Sequence, residues 1–563
     1  MNKYNVLCIF VDSVRRYHST GDDRSRLDIM DEFGKESVEF LNVVTSAPST
    51  YMAIGAMMSG MHSYYINRNF TDFMYDEAAF PSLTSILRDN GYHNYNYWMS
   101  RESRETMRNI LPMIGHKYWP SGFKHRHWWS NSQINLLVDK SLSMGVENPA
   151  FFFVDYNCRG DRQTSDKVKW AIEKLKQAGY TKDNTITILC SDHGYPDPSK
   201  ETGRPDFYKK HGIGHDLVLT DDNIMIPLLI QYPGCAEGKK IETTVGGIDI
   251  FPTILDFLRI DIPSGVHGKS LIPLIDGEPE YKEIMESRFH RCDSRLSCQT
   301  GRGTAIRNNR YKYVYYHDDT RGKNEEFFDI VNDELETNDL IGSEDENIKK
   351  QLDVFRKEFQ ESEKGATNFQ LNYLFQKFST EHNNEIQQAK EILITDSCSP
   401  LFIDMLFRMI RRINNRAKVN VLFVEHEPES FKEDVAAICP DVSSWSEFKA
   451  TTVREIFGST KFDVLFAPYN TSEQRDNTRF TAIVRRIKAK NKVYLDYNMG
   501  SFKKTITYYW KNFKATWPFM KYEPLFLLSS VIFQIRGLGR ITWKKLTGHF
   551  FKKDINRSEV LKK

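Results

Sequence analysis

Ser191-Asp192-His193-Gly194 follows directly on the apolar run Thr185–Cys190. A carboxylate beside an imidazole at the carboxyl end of a buried strand stands where an open α/β sheet builds its binding crevice, and the pair can face a metal ion there. Residues 5–11 form a second parallel-strand-like run that ends on Asp12, a carboxylate too costly to bury unless it is paired or binds a cation. Asp12, Asp192 and His193 thus outline a metal site. Between the two strands, Ser46-Ala-Pro-Ser-Thr50 leads into a small-residue, sulfur-rich stretch at 51–60 that predicts a helix. Thr50 falls near its start, where backbone N–H groups and the dipole favour an anion. A hydroxyl so placed can bind the metal, lose its proton and attack an ester. Taken singly, each feature also has a local reading: Ser191 and Asp192 as a helix-capping turn, and Thr50 as an N-cap with Ser49 the alternative hydroxyl.

Further motifs follow in order: Lys210-His211-Gly-Ile-Gly-His215, Ile226-Pro-Leu-Leu-Ile230, Gly247-Ile-Asp-Ile-Phe-Pro-Thr253, His267-Gly-Lys-Ser270, Ala305-Ile-Arg-Asn-Asn-Arg-Tyr-Lys-Tyr313 and Phe328-Asp-Ile-Val-Asn-Asp333. With Asp12, Thr50 and Ser191-Asp192-His193-Gly194, this order resembles the sulfatase branch of the alkaline phosphatase superfamily over residues 4–345. The resemblance implies that Asp12, Thr50, Asp192 and His193 surround one divalent cation with Thr50 as nucleophile. It also implies that His211 and His215 touch the transferred group or the leaving oxygen.

Three departures from that family bear on the chemistry. Sulfatases proper convert the cysteine of Cys-x-Pro-x-Arg to formylglycine, whereas Thr50-Tyr-Met-Ala-Ile54 has neither that cysteine nor that arginine, so the threonine is more similar to the phosphoryl-transferring members. Ser13 stands where many sulfatases have a second acid, and His193 where calcium-binding members often carry asparagine. The donor set therefore tilts toward zinc or manganese, with calcium or magnesium as the alternative. Two-metal relatives carry Asp-x-x-x-His after a strand like 151–154; here Asp155-Tyr-Asn-Cys-Arg159 lacks that histidine, and Arg159 becomes the candidate positive charge for substrate. His125 and His127, in Phe123-Lys-His-Arg-His-Trp-Trp129, form a basic aromatic cluster that reads either as a substrate contact or as a solvated loop.

The chain of 563 residues exceeds a single compact core. The expected fold is α/β, an alkaline-phosphatase/sulfatase-like α/β/α sandwich over 1–345, followed by a helical connector over 346–390. The aromatic and aliphatic side chains of that connector, Val354, Phe355, Phe359, Phe369, Leu374, Phe375 and Phe378, read as a core-facing stripe. Strand-like runs at 391–395, 419–424, 462–467 and 492–495, with a helical segment at 401–411, predict a second, smaller Rossmann-like α/β domain over 391–500. It has no glycine-rich phosphate loop, and no activity is assigned to it.

Residues 501–563 carry 14 Lys and Arg against 3 Asp and Glu, a net charge of +11, while the whole chain is +2 and the remainder therefore −9. Thirteen aromatics are interleaved, and the apolar run 524–535 is too short to span a bilayer. This tail is expected to lie peripherally on an anionic membrane surface, ahead of an internal packing helix and of nucleic-acid binding. Eight scattered cysteines suit a reducing compartment, and the first strand starts too early for an export signal, so a cytoplasmic protein on the cytosolic membrane face is expected. Together these features predict a metal-dependent hydrolase or transferase acting on a phosphate ester, on a lipid-linked or glycan substrate. The alternatives are a sulfuric ester hydrolase without formylglycine and a non-catalytic scaffold.

Overall fold

The structure, a computed structural model, describes residues 3–19, 24–63, 81–97, 131–158, 163–197, 215, 218–278, 284–290, 302–316, 325–396, 400–423, 444–447, 461–468, 484, 487–495 and 501–502. Its first sheet has seven strands: β1 (Asn5–Asp12), β2 (Val38–Val44), β3 (His93–Tyr97), β4 (Ala150–Asn157), β5 (Thr185–Cys190), β6 (Met225–Gln231) and β7 (Lys240–Gly246). They take the order β3-β4-β1-β5-β6-β2-β7. β1 runs parallel to β4 and β5, with Phe10 opposite both Asp155 and Cys190. β6 is antiparallel to its neighbours β5 and β2, so the sheet is mixed.

Apolar residues on both faces of β1, β4 and β5 are what place these strands at the centre. Val6, Ile9, Phe151, Phe152, Phe153, Ile186 and Ile188 are fully buried, and each such side chain contributes about 1.5–3 kcal/mol over exposure. That burial fixes where Asp12 and Ser191 emerge. Two groups of helices cover the sheet: α1 (Asp28–Gly34) with Asn131–Ser143 and Thr164–Gln177, and α2 (Thr50–Ser59) with Leu83–Asp89 and Ile250–Phe257.

A second, antiparallel sheet follows, β8 (Met285–His290), β9 (Arg302–Arg307), β10 (Tyr311–Tyr316) and β11 (Glu325–Asp329), in the order β11-β10-β9-β8. Buried ion pairs tie it to the first. Lys312 Nζ reaches Asp221 Oδ1 at 3.0 Å and Glu336 Oε1 at 2.7 Å, and Arg307 Nη2 reaches Asp221 Oδ2 at 2.9 Å. Burial pushes the Asp221 carboxyl up, but Arg307 and Lys312 outweigh it and hold it well below the usual carboxylate range.

The helix Glu346–Gln387 brackets two sheets. Phe355 and Phe359, four residues apart and so on one helical face, bury against Tyr313 and Phe327, while Phe378 packs on Phe466 of the third sheet. Val354 does not join the stripe expected of it and is 51% exposed, because one residue of helix turns it about 100° from Phe355. The side chains of Phe369 and Leu374 lie outside the described residues. Five strands of the third sheet, β12 (Glu391–Asp396), β13 (Lys418–Phe423), β14 (Ser444–Glu447), β15 (Phe462–Pro468) and β16 (Ala489–Leu495), run parallel in the order β14-β13-β12-β15-β16. This is the smaller Rossmann-like α/β unit, with helix Pro400–Ile413 between its first two strands. Beyond Phe502 the basic tail lies outside the described residues. Among the described residues, no helix is long and apolar enough to cross a membrane.

Candidate active site

Asp12 ends β1 and Ser13 turns the chain out of the sheet at φ 65°, a left-handed conformation that a serine adopts at a cost of order 1–3 kcal/mol. The turn has a purpose at this place: Ser13 N–H donates to Asp192 Oδ1 at 3.1 Å and Ser13 Oγ–H to Asp12 Oδ1 at 2.8 Å. From the adjacent strand, Ser191 is buried as a clasp. Its hydroxyl accepts from Val14 N–H at 3.0 Å and lies 2.7 Å from the Val11 carbonyl oxygen, joining the two strand ends. Gly194 is required by close approach, since a Cβ there would stand 2.1 Å from the Asp222 carbonyl oxygen.

These constraints converge the ligand atoms. Oxygens of Asp12 and Asp192 and a ring nitrogen of His193 all lie within 4.8 Å of one another. His193 Nδ1 sits 2.6 Å from the Gly194 carbonyl oxygen, which accepts its proton and leaves Nε2 as the electron-pair donor. That nitrogen is 3.7 Å from Asp12 Oδ1 and 3.6 Å from Asp192 Oδ2. Asp192 Oδ2 is buried and accepts no hydrogen bond. Burial, and then the charge of Asp192, push the Asp12 carboxyl up to about 6. A buried and a half-buried carboxylate that repel, an orphaned oxygen and an aimed imidazole fit a divalent cation by the chemistry of the donor set.

Thr50 completes the constellation. It is the first residue of α2, after Ser49 in extended backbone, and its Oγ1 lies 3.3 Å from His193 Nε2 and 3.5 Å from Asp12 Oδ1. Ser49 Oγ, by contrast, is buried with no hydrogen-bond partner. α2 ends at Gly60, φ 67°, where a Cβ would meet Val266 at 2.6 Å and Phe251 at 2.8 Å. The His215 ring stacks on that of His193 at 4.8 Å and lies 5.1 Å from that of Tyr195. The structure therefore brings together Asp12, Thr50, Asp192, His193 and His215. His211, Arg159, His125 and His127 lie outside the described residues.

Behind the loop that carries Thr50 lies a buried ionic group that the sequence analysis missed. Arg288 N–H donates to the Ser46 carbonyl oxygen at 3.0 Å, and the Arg288 guanidinium is held by Glu286, Glu363 and the Ser362 hydroxyl, 2.6 Å from Nη2. Burial pushes Glu286 up, but Arg288 and then His62 outweigh it and hold its carboxyl at about 2. Alternating Glu-x-Arg on a strand was the available signal, since two opposite charges on one face of a buried strand require partners.

Residues 210–364 match the family model described as N-sulphoglucosamine sulphohydrolase, C-terminal. The chain is similar to arylsulfatase K of Bos taurus, 24% identical over 42% of this chain and 41% of the relative. The likeness to the N-acetylglucosamine-6-O-sulfatase of Bacteroides thetaiotaomicron is 25% identity over 31% of this chain and 29% of the relative. Among solved structures, a 2-O GAG sulfatase superposes with a TM-score of 0.51 at 17% identity, over 65% of this chain and 93% of that one. These likenesses support reading the chain as a sulfatase-like member of the alkaline phosphatase superfamily. The chain spans about two-fifths of the length of the arylsulfatase relative. The superfamily reading accounts for the mixed central sheet, for the two strand-end carboxylates and for the placement of residue 50 at a helix start.

Proposed function

We propose that the chain hydrolyses an anionic ester at one divalent cation held by Asp12, Thr50, Asp192 and His193, with zinc or manganese ahead of calcium or magnesium. The observation that carries the proposal is the Thr50 hydroxyl, 3.3 Å from His193 Nε2, beside an acid pair with an orphaned buried oxygen. A sulfate ester is the first reading, supported by relatives named as sulfatases. A phosphate ester is the second, favoured by Thr50 itself, because a threonine supplies no aldehyde hydrate and acts as a plain alkoxide.

A cation there would lower the pKa of the Thr50 hydroxyl and draw charge from the ester oxygens. Thr50 Oγ1 loses its proton to solvent and attacks sulfur or phosphorus in line, helped by the N–H groups of the first turn of α2. The bond to the leaving oxygen breaks as His215, or His211, delivers a proton to it. Water, giving its proton back to the same imidazole, then displaces Thr50 and releases the inorganic anion. Arg159, His125 and His127 are proposed to contact the remainder of the substrate, a glycan or lipid-linked molecule. The +11 tail is proposed to hold the protein on the anionic cytosolic face of a membrane, where buried thiols such as Cys8 and Cys190 stay reduced. Parallel assays with aryl sulfate, aryl phosphate and bis-aryl phosphate test the reading: turnover of the sulfate first and the phosphate second supports it, and turnover of none overturns it.

A further inference from the structure

The charges of the site leave an anionic substrate without a net attraction. Asp12 and Asp192 together carry the charge that one divalent cation neutralises, so an incoming oxyanion needs a positive group from elsewhere. Among the described residues, Arg24 is a positive group whose charge reaches Asp12, weakly beside burial and the charge of Asp192. The Arg24 guanidinium carbon lies 3.5 Å from the centroid of the Tyr195 ring, a close cation–π contact. Tyr195 in turn lies 5.1 Å from the ring of His215, and His215 is stacked 4.8 Å from that of His193. One stack of side chains thus runs from a metal ligand to a guanidinium.

Buried Arg15 holds both ends of the arrangement. Its backbone N–H donates to the Arg24 carbonyl oxygen at 2.9 Å, and its Nε and Nη2 donate to the carbonyl oxygens of Tyr195 at 2.7 Å and Pro196 at 3.0 Å. Tyr195 N–H donates to the Asp222 carbonyl oxygen at 3.0 Å, so the backbone that carries the ring is held, and the ring itself lies between His215 and Arg24. A guanidinium carbon 3.5 Å from a ring centroid is at stacking distance, and the guanidinium is itself a planar fork of N–H donors whose shape matches an oxyanion.

We infer that Arg24, positioned by Tyr195, is a substrate-binding residue that takes an oxyanion of the ester, either of the transferred group or of a second acidic group on the same molecule. The inference rests on the hydrolase reading for its substrate but not for its test, which begins with inorganic sulfate and inorganic phosphate as probes. Calorimetric titration of the full chain, with metal content measured in parallel, is expected to show Arg24→Met binding at least one of these anions about tenfold more weakly than the parent, the loss of one charge-assisted contact. Arg24→Lys should recover part of the loss. Tyr195→Leu should weaken binding too, and adding Arg24→Met to it should change little more, because the two act as one unit. Metal content should stay constant across the series. A raised KM for a simple aryl ester places the contact on the transferred group, and a raised KM confined to an aryl ester bearing an extra carboxylate places it on the second acid. Anion binding by Arg24→Met equal to the parent, or a parent that binds neither anion, overturns the inference. A parent that turns over no ester while Arg24→Met still loses anion binding overturns the hydrolase reading and leaves this one standing.

Discussion

Thr50 Oγ1 stands 3.3 Å from His193 Nε2, although the two residues are 143 positions apart in the chain. The contact exists because α2 begins directly beside the carboxyl ends of β1 and β5, and because Gly194 lets the turn after β5 close on Asp222. A hydroxyl, an imidazole and two carboxylates thus meet at one point.

Asp192→Asn and His193→Ala are expected to lose bound metal and ester turnover together, turnover falling at least about 100-fold. The fold should persist by circular dichroism, since neither side chain packs the central strands. Stoichiometric metal retained in both variants would refute the assignment of these ligands.

Glu286 makes stability depend on acid. Its carboxyl is at about 2 in the folded chain against an ordinary 4.5, so it contributes stability fully above about 4.5 and loses that contribution as pH falls toward 2. Glu286→Gln should flatten this limb in denaturant unfolding measured across pH. It should also cost about 3 kcal/mol or more at pH 7, by leaving Arg288 buried without that partner. An unchanged acid limb contradicts the role given to Glu286.

How much of this was legible in the sequence follows from which signals are local. β5 was read at its true bounds and β1 to within one residue, because a strand buried on both faces is a continuous apolar run and its end is marked by the first charge. Thr50 was readable as a helix start for the same kind of reason. Val354 was misplaced because apolar type alone does not fix helical phase, and Ser444–Glu447 was missed because its strand carries no apolar alternation. Arg24 and Tyr195 were invisible: their pairing depends on Arg15, whose hydrogen bonds join segments far apart in the chain.

The tail is testable apart from the site. With a net charge of +11 over 501–563, the full chain should sediment with anionic liposomes at low salt and be largely released as the Debye length falls from about 10 Å at 0.1 M to about 3 Å at 1 M. A chain ending at Gly500 should stay in the supernatant and keep its activity on a soluble ester. Identical partitioning of the two would assign the tail to internal packing instead.

Thr50→Ala should still take up metal through Asp12, Asp192 and His193, more weakly for the loss of one oxygen, and turn over at least about 100-fold more slowly at saturating metal, whereas Ser49→Ala should keep most of its turnover. The reverse pattern would move the nucleophile to Ser49.

The central claim is that Thr50 forms a covalent ester during turnover. Mass spectrometry of protein acid-quenched while hydrolysing an aryl sulfate or an aryl phosphate addresses it most directly. The account predicts a sulfuryl or phosphoryl group on the peptide carrying residues 46–60, localised to Thr50 and absent from Thr50→Ala. Sustained turnover with no labelled peptide, or a label localised to Ser49, would contradict it.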